Sequence, residues 1–576
     1  MSLSEDVRPR SLLLAARSAT NPTAARLLEM STKTDEILSE RSLVRIRDVA
    51  VRVIVVLSIL ILFTASPATS QTAITTYHVD TNRTGWNSHE TVLTPANVGS
   101  SSFGLLHTVT LDNQVDAQPL FVPGVTITTG NSPGLHDVVY VVTEGNTIYA
   151  IDAEAGTVLL NPNFGTPVPS PLVCNNKGST IGITSTPVID LTSNTLYVVI
   201  YTQDSTGPAY RIHALDLGSL TDKVTPQLVV ASHTLIDGTT FNFNATYQRQ
   251  RPALLLANGN IYAGFGSFCD SSRNVSRGSL MGWSTGSLTP LPGNQVLDTQ
   301  ATAPNDSFLS SIWMSGYGLS TDDSGNILFV TGNSDRSGTT YDGVTDIQES
   351  VVKVSPNLST VLGVFTPSNQ PSLDQVDNDF GSGGVLVLPD QPGSLPHLAV
   401  AAGKVGSLFL MNEDHLGGFS TTKNKVLGTY TIGGCWCGPS YFVDPSDGLG
   451  RVVTSGGYKV GVYKILTSPK PALKKVSSSP AIGGTSNEGF FTSISSDGTA
   501  SPIIWAAAHP TSTKGSPIYL YAFDPESVGS GSMRQILKIQ AGTGHSNLVP
   551  LVVNGEVFVA SHGELQIFGI KSERKK

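Results

Sequence analysis

The sequence has few charged residues and little helical patterning. Asp, Glu, Lys and Arg make up 14% of the 576 residues, whereas an ordinary soluble domain has about 25%. Stretches rich in Ala, Leu, Glu and Arg occur only before residue 66. Glycine (57 residues) and proline (34 residues) are plentiful instead, and they supply the backbone angles of tight turns. This composition predicts short strands joined by many turns, which is an all-β fold.

A basic surface is also missing. The formal net charge is −9, and acids still outnumber bases when residues 1–70 are set aside. Nucleic-acid binding needs a basic patch or stripe, and an acidic membrane surface attracts a polybasic segment. The sequence therefore excludes nucleic acid as a partner and provides no polybasic membrane patch.

The apolar run at residues 53–63 is too short to span a membrane, which takes about 20 residues. It follows Arg52 and precedes the small residues of 66–71. A positive flank, a short apolar core and small residues are typical of a secretory signal peptide, with cleavage expected near Ser70. The alternative is an uncleaved N-terminal anchor helix, and only then would the protein be held at a membrane. Either way, the sequence predicts a secreted, periplasmic or cell-surface protein.

The four cysteines are too few to form a disulfide scaffold. Cys435 and Cys437 form a C-x-C pair that lacks the second pair of a zinc site. In an oxidising compartment, we expect a disulfide between Cys174 and Cys269, with Cys435 and Cys437 remaining thiols.

One strand pattern recurs along most of the chain. Residues 137–159 (DVVYVVTEGNTIYAIDAEAGTVL) predict an alternating apolar strand, a tight turn, a second strand and a third strand. Each recurrence follows a strand headed by Pro or Gly, such as Gln118-Pro119 or Arg251-Pro252. The heads are about 61 residues apart, which suits a four-stranded propeller blade with its loops.

The repeat predicts an all-β, eight-bladed β-propeller of four-stranded antiparallel sheets, with an N-terminal signal or anchor helix. A single sheet cannot bury both faces, whereas radial stacking covers each face with a neighbour. An array of β-sandwiches is the alternative, but it does not explain the near-constant step. The expected regions are the extension and signal (1–70), a lead-in and ring-closing segment (71–115), the propeller (116–570) and a charged tail (571–576).

The repeat resembles that of the quinoprotein alcohol dehydrogenase-like propellers, the PQQ-like repeat family. Residues 140–143 and 149–156 match its "VYV-x-T" and "YA-x-D-x-x-x-G" pattern closely, and residues 521–524 match in part. Residues 93–98 and 117–120 resemble a secreted bacterial subgroup. The resemblance covers about residues 77–570 and implies the fold, which does not determine function.

The resemblance also implies cofactors. Dehydrogenases of this kind hold the quinone PQQ at the axis beside Ca²⁺, with an Asp as base, and in the alcohol dehydrogenases a disulfide between adjacent cysteines stacks on the quinone. Here Cys435-Trp436-Cys437 is interrupted, and no cluster of calcium ligands or C-x-x-C-H haem motif is found. PQQ and calcium are therefore implied by the family but unsupported by a Cys-Cys pair.

A polar ring is expected where the first strands of the blades begin. An Arg, carboxylates and two Trp there could bind an anionic or planar ligand, or they could cap the channel and satisfy one another. His545 is the one candidate general base, and no metal site is assigned. The predicted ligand-binding residues are Gln118, Thr186, Arg251, Trp313, Asp379, Trp436, His545 and Asn547, with Asp116 and Gln250 beside them.

Other aspartates have a structural interpretation. Asp152, Asp216 and Asp524 recur with the repeat and predict Asx turns. Residues 322–326 resemble a calcium loop, but the glutamate of an EF-hand is missing, so a hairpin turn is predicted.

The sequence thus predicts an exported ligand- or partner-binding module, monomeric, with a small molecule, carbohydrate or protein at the channel mouth. The alternative is a divergent PQQ- and calcium-dependent oxidoreductase acting on alcohols or sugars. A polysaccharide hydrolase or lyase is a third hypothesis, although no paired carboxylates single it out.

Overall fold

A computed structural model describes most of the chain after residue 70. All described residues belong to one compact unit, Gln71–Lys576. The predicted signal segment lies outside them, and among them no helix has both the length and the apolar character to cross a membrane. The described residues are 71–170, 172, 178–234, 238–268, 277–293, 295–296, 311–333, 347–434, 436–482, 489–509, 517–529, 531–544 and 548–571.

The described strands form eight four-stranded antiparallel units, here called sheets 1–8. Sheet 1 consists of Leu120–Ile127, Gly134–Val142, Ile148–Asp152 and Val158–Leu160, and sheet 2 of Val188–Asp190, Thr195–Asp204, Gly207–Asp216 and Gln227–Leu228. Sheet 3 consists of Leu255–Ala257, Asn260–Ser267, Ser279–Ser284 and Gln295–Val296, and sheet 4 of Ser320–Thr321, Ile327–Val330, Val351–Val354 and Val361–Phe365. Sheet 5 consists of Val385–Val387, Leu398–Ala402, Ser407–Asn412 and Gly428–Thr431, and sheet 6 of Ser440–Val443, Gly450–Gly456, Lys459–Leu466 and Ala472–Ser478. Sheet 7 consists of Thr492–Asp497, Ala500–Ala508, Pro517–Gly529 and Ser532–Thr543, and sheet 8 of Leu551–Val553, Glu556–Ala560, Glu564–Ile570 and Phe103–Thr110.

Short elements complete the described part. Gln248–Gln250 pairs with the second strand of sheet 3, and Trp86–Asn87 runs parallel to the first strand of sheet 7. A single bridge between Ser478 and Ser532 joins sheets 6 and 7. The others are the strands Val168–Pro169, Thr180–Ile181, Ser232–Thr234 and Thr240–Asn242, the α-helices Pro95–Val98 and Gln370–Val376, and the 3₁₀ turns Met314–Gly316 and Phe380–Ser382.

Apolar clusters join each sheet to the next. Tyr140 of sheet 1 packs in one cluster with Val198 of sheet 2, and the remaining neighbours are joined in the same way. Phe558 of sheet 8 shares a cluster with Phe121 of sheet 1, so the contacts return to their start. Both faces of each sheet are thereby covered. The predicted all-β propeller of four-stranded sheets is confirmed, and separate sandwiches are not found.

Sheet 8 combines the two ends of the propeller. Its outermost strand, Phe103–Thr110, comes from the N-terminal side and pairs antiparallel with Glu564–Ile570 near the C-terminus. Because this pairing joins an early and a late segment of the described chain, it closes the ring by main-chain hydrogen bonds.

Residues 72–90, here called the axial segment, contact every sheet. Six inner strands donate a backbone N–H to a carbonyl of this segment, and two carbonyls at the inner strands accept from its side chains. The donors are Phe121, Ile189, Thr321, Val387, Tyr441 and Ile494, and the acceptors are Leu254 and Val552. The segment therefore satisfies inner-edge groups that the sheets leave unpaired.

Arg83 anchors the axial segment. Its fully buried guanidinium donates to the carbonyls of Leu319 (2.7 Å), Leu254 (3.1 Å) and Tyr77 (2.8 Å) and to the hydroxyl of Thr76 (2.7 Å). Burial lowers the pKa of Arg83 to about 10, which leaves it charged at neutral pH. One side chain thus ties the segment to sheets 3 and 4.

The predicted Asx turns are confirmed. The carboxylates of Asp152, Asp216 and Asp524 accept backbone N–H bonds from Ala155 (2.8 Å), Gly218 (3.0 Å) and Glu526 (3.0 Å) respectively. These aspartates therefore stabilise turns.

The prediction for Cys437 was wrong, because this residue is disulfide-bonded. It lies in irregular chain before Ser440–Val443. Cys174, Cys269 and Cys435 lie outside the described residues.

We expect Arg83→Met to lower the free energy of unfolding by about 3 kcal/mol or more, because buried carbonyls lose their donors. Urea denaturation would measure the change. Arg534→Met is the matched control: this side chain is 55% exposed and pairs with Asp524, so the loss should stay below about 1 kcal/mol. Equal losses in the two variants would contradict the anchoring role.

Candidate functional site

Polar residues from two kinds of loop meet at one end of the sheets. In an antiparallel sheet, the loop between the second and third strands lies at the end where the first strand begins, here called the head end. Glu144 and Lys404 follow second strands, and Asp116, Arg251 and Asp379 precede first strands. The predicted site included only residues at the first-strand heads and therefore left out Glu144 and Lys404. The alternation of strand directions places residues that follow second strands at the same end.

Gln118 and Thr186, two of the predicted ligand-binding residues, are occupied by structural contacts. The Gln118 amide oxygen accepts from the His78 backbone N–H (3.0 Å), and its own backbone N–H donates to the Thr186 hydroxyl (2.9 Å). Both side chains are buried. They support the axial segment from the sheets around it.

Buried aromatic rings fill the axis beside this segment. Tyr77 stacks on His78 with ring centroids 4.6 Å apart, and Tyr317 and Phe491 pack edge-on against Tyr77. Burial lowers the pKa of His78 to about 3, so this ring is neutral. Because these rings are buried, they fill the axis at their level. The set of head-end residues Asp116, Glu144, Arg249, Arg251, Trp313, Asp379, Lys404 and Trp436 is here called the cup.

Arg249 and Arg251 lie side by side at the head end. They are two residues apart in extended chain that includes Gln248–Gln250, which places them on one side. Within the described chain, neither guanidinium forms a hydrogen bond or an ion pair, and the Arg249 Nε is buried without a partner. The Arg249 guanidinium lies 5.6 Å from the ring centroid of Phe268. The described residues therefore leave hydrogen-bonding groups of this arginine pair without a partner.

The neighbouring carboxyls do not neutralise the arginine pair fully. Burial raises the pKa of Glu144 well above its ordinary value, the nearby Asp116 carboxyl raises it further, and Arg249 and Arg251 oppose the rise. Burial lowers the pKa of Arg251 to about 10, and the adjacent charge of Arg249 acts in the same direction. Burial thus disfavours the ionised form of Glu144, so its carboxyl offsets the two guanidinium charges less than an exposed carboxylate would.

Three predicted residues meet at the other part of the cup. The Trp313 and Trp436 rings have centroids 6.3 Å apart at an interplanar angle of 80°. The Lys404 ammonium lies 5.5 Å and 5.6 Å from these centroids and 2.9 Å from the Asp379 carboxylate. Burial raises the pKa of Asp379, which Lys404 opposes.

Glycines bring the two parts together. A Cβ at Gly332 would lie 3.0 Å from the Trp313 Nε1 and 3.1 Å from an Asp379 oxygen. Gly266 pairs with Arg249 across the strands, and its Cβ would lie 3.4 Å from the Trp313 Cβ. These contacts place Trp313 close to the strand partner of Arg249 on one side and to Asp379 on the other.

A buried glutamate supports the Asp379 segment. The Glu349 carboxylate accepts from the Phe380 backbone N–H at 2.6 Å, while its other oxygen is buried without a partner. Its φ of 48° lies in the left-handed region. Burial and the charge of Asp379 raise the pKa of Glu349 well above its ordinary value.

Three other predicted residues do not line the described cup. The Gln250 side chain is buried and donates to the Pro252 carbonyl at 2.7 Å. His545 and Asn547 lie outside the described residues, so their roles stay predictions.

The described residues do not fit a centre of quinone and calcium. No group of three or more His, Cys, Asp or Glu side chains is placed for a metal ion within the described ranges. The Trp313 and Trp436 rings are nearly perpendicular, and the Lys404 ammonium lies near both faces. They do not form a parallel slot for a planar quinone.

We expect Lys404→Met to lower the free energy of unfolding by about 3 kcal/mol, because Asp379 would stay buried without its cation. The two side chains are 13% and 1% exposed. Urea denaturation would measure the loss. Lys404→Met combined with Asp379→Asn should regain a large part of it, and a double variant no more stable than the single one would refute the pairing.

Comparisons with known proteins show the fold. No protein-family model and no curated protein matches the chain. Quinohemoprotein alcohol dehydrogenase from Comamonas testosteroni is similar at a TM-score of 0.56 and 12% identity, covering 89% of this chain and 82% of that one. Quinohemoprotein alcohol dehydrogenase ADHIIG from Pseudomonas putida HK5 gives 0.56 and 12%, covering 87% and 81%. A europium-containing methanol dehydrogenase gives 0.56 and 10%, covering 86% and 98%. The chain has the β-propeller fold of the quinoprotein alcohol dehydrogenases.

Proposed function

We propose that this protein is an exported, eight-bladed PQQ-like propeller of the secreted bacterial kind that binds a small organic anion in the cup at its head end. The observation that carries the proposal is that Arg249 and Arg251 have no hydrogen-bond or ion-pair partner among the described residues. In this function the protein is a binding module, with no catalytic step of its own.

The electrostatics of the arginine pair favour an anion. Two like charges side by side repel each other, and burial adds to the cost of both. A carboxylate between them would remove the repulsion and accept forked hydrogen bonds from the guanidinium groups. The adjacent Trp313 ring adds a flat apolar surface. These groups together suit a ligand with carboxylates on a planar body.

The proposed location rests on the sequence before residue 71. A positive flank and a short apolar core at 53–63 are typical of a secretory signal. The protein would act as a monomer outside the cytoplasm, as a secreted, periplasmic or cell-surface molecule. A carbohydrate or another protein at the cup is the other kind of partner.

A quinoprotein oxidoreductase is the alternative function. The similar solved structures favour it, since they carry the names of alcohol and methanol dehydrogenases. The arginine pair would suit the carboxylates of PQQ, but the described residues supply neither a calcium cluster nor a parallel stacking slot.

Two polycarboxylates test the proposal. Benzene-1,3,5-tricarboxylate and PQQ should each bind without Ca²⁺, as measured by calorimetry. Arg251→Gln should weaken both by about tenfold or more, because a charge-assisted hydrogen bond contributes about 1.5–3 kcal/mol. Arg211→Gln is the matched control: Arg211 is paired with Asp204 on sheet 2, and its loss should leave both affinities unchanged.

The same experiment separates the two functions. Failure of both polycarboxylates to bind would refute the anion site. Calcium-dependent binding of PQQ, with dye reduction by alcohols or sugars, would establish the oxidoreductase instead.

The affinity for benzene-1,3,5-tricarboxylate should fall as the pH rises through about 10, where Arg251 loses its proton. The ligand itself stays fully ionised above about pH 6. Glu144→Gln should show the same decline in affinity near pH 10. Because this variant has no carboxyl at position 144, it should lack any fall in affinity at lower pH that ionisation of Glu144 causes. Fluorescence titration from about pH 6 to pH 11 would measure both effects. An equal decline in Arg251→Gln would show that Arg251 is not its cause.

A further inference from the structure

A second cavity lies between sheets 4 and 5 at the end opposite the cup. Its volume is about 560 Å³, within the range of ligand pockets, about 300–1,000 Å³. Its walls come from the turn before the second strand of sheet 4, the outermost strand of that sheet and the loop after the third strand of sheet 5. The lining includes Ser324, Lys353, Leu362, Glu413, Asp414 and His415.

Lys353 holds the polar side of the cavity together. Its ammonium lies 2.5 Å from an Asp322 oxygen and 3.2 Å from a Glu413 oxygen, and it is 3.4 Å from the Glu413 carbonyl. Asp322 also accepts from the backbone N–H of Asn326 at 2.8 Å. Residues 322–326, which resemble a calcium loop in sequence, therefore form the predicted tight turn and pair with a lysine.

An excess of carboxyls surrounds this lysine. Glu413 is buried, which raises its pKa. Asp414 is half exposed and lies 3.0 Å from the His397 Nδ1. Two carboxyls, Asp322 and Glu413, contact the single ammonium of Lys353, and Asp414 adds a third carboxyl to the lining, so the cavity disfavours an anionic ligand.

Apolar and unengaged polar groups complete the walls. Leu362 is 50% exposed on the outermost strand of sheet 4, and Leu416 lies next to Gly363. The side chains of Ser324 and His415 form no hydrogen bond with the described residues. The cavity thus offers hydrogen-bonding groups of both kinds beside an apolar surface.

We propose that the cavity between sheets 4 and 5 binds a sugar unit that carries no carboxylate, either neutral or amine-bearing. Sugar hydroxyls both donate and accept, so they match Asp414 and Glu413 as acceptors and His415 and Ser324 as mixed partners. The C–H faces of the ring would lie against Leu362 and Leu416. Because Lys353 occupies the centre of the carboxyls, a metal ion has no place there. This site is separate from the anion cup.

Three sugars test the site on the intact protein: glucose, glucosamine and glucuronic acid. Saturation-transfer NMR and calorimetry should show binding of glucose and glucosamine, with glucuronate at least about fivefold weaker because of charge repulsion. Absence of binding by both glucose and glucosamine, or glucuronate binding as tightly as they do, would overturn the proposal.

Matched surface variants locate the binding. Leu362→Ser and His415→Ala should each raise the dissociation constant for glucosamine by about fivefold, since each removes a contact of about 1 kcal/mol. Leu228→Ser, which changes a leucine 48% exposed on the outermost strand of sheet 2, should leave it unchanged. Equal effects of all three variants would overturn the location. So would displacement of the sugar by benzene-1,3,5-tricarboxylate, which would place it in the anion cup.

Discussion

The hydrogen bonding between the axial segment and the inner strands is the constraint on which the rest of the structure depends. A closed ring of sheets leaves a row of inner-strand N–H and C=O groups facing the axis, where unpaired groups are costly. Residues 72–90 pair with such groups on all eight sheets, and Arg83 holds the segment between sheets 3 and 4. The segment also brings Tyr77 and His78 into the axis, so the channel is filled there and a cup remains at the head end.

The cup shows how one fold can carry different chemistry. The ring positions loop residues, and the residue types in those loops decide what binds. Here the described residues give Arg249 and Arg251 no hydrogen-bond or ion-pair partner, and burial raises the pKa of the neighbouring Glu144. Trp313 and Trp436 meet nearly at right angles around an ammonium. This arrangement differs from a quinone slot although the fold is that of quinoprotein dehydrogenases.

Part of the site could be predicted because strand alternation is local. First-strand heads were recognised by their Pro and Gly, and Trp313, Asp379 and Trp436 do meet. Lys404 and Glu144 follow second strands and lie at the same end because strand direction alternates. The repeat pattern is therefore sufficient to predict their location. The positions of Gln118 and Thr186 could not be predicted, because their partners are distant in the chain. Gln118 accepts from His78 of the axial segment, 40 residues away, and Thr186 accepts from Gln118, 68 residues away.

The sequence by itself determined the repeating sheets and their turns, because apolar alternation and aspartate-capped turns act between residues close in the chain. Tertiary structure alone decided how Phe103–Thr110 closes the ring and how the axis is filled. It also decided which charged side chains at the head end have no hydrogen-bond or ion-pair partner among the described residues. These features depend on contacts between distant segments, whose geometry follows from packing the sheets around one axis. The charge state of Glu144 belongs to the same group, since burial among those segments sets its pKa.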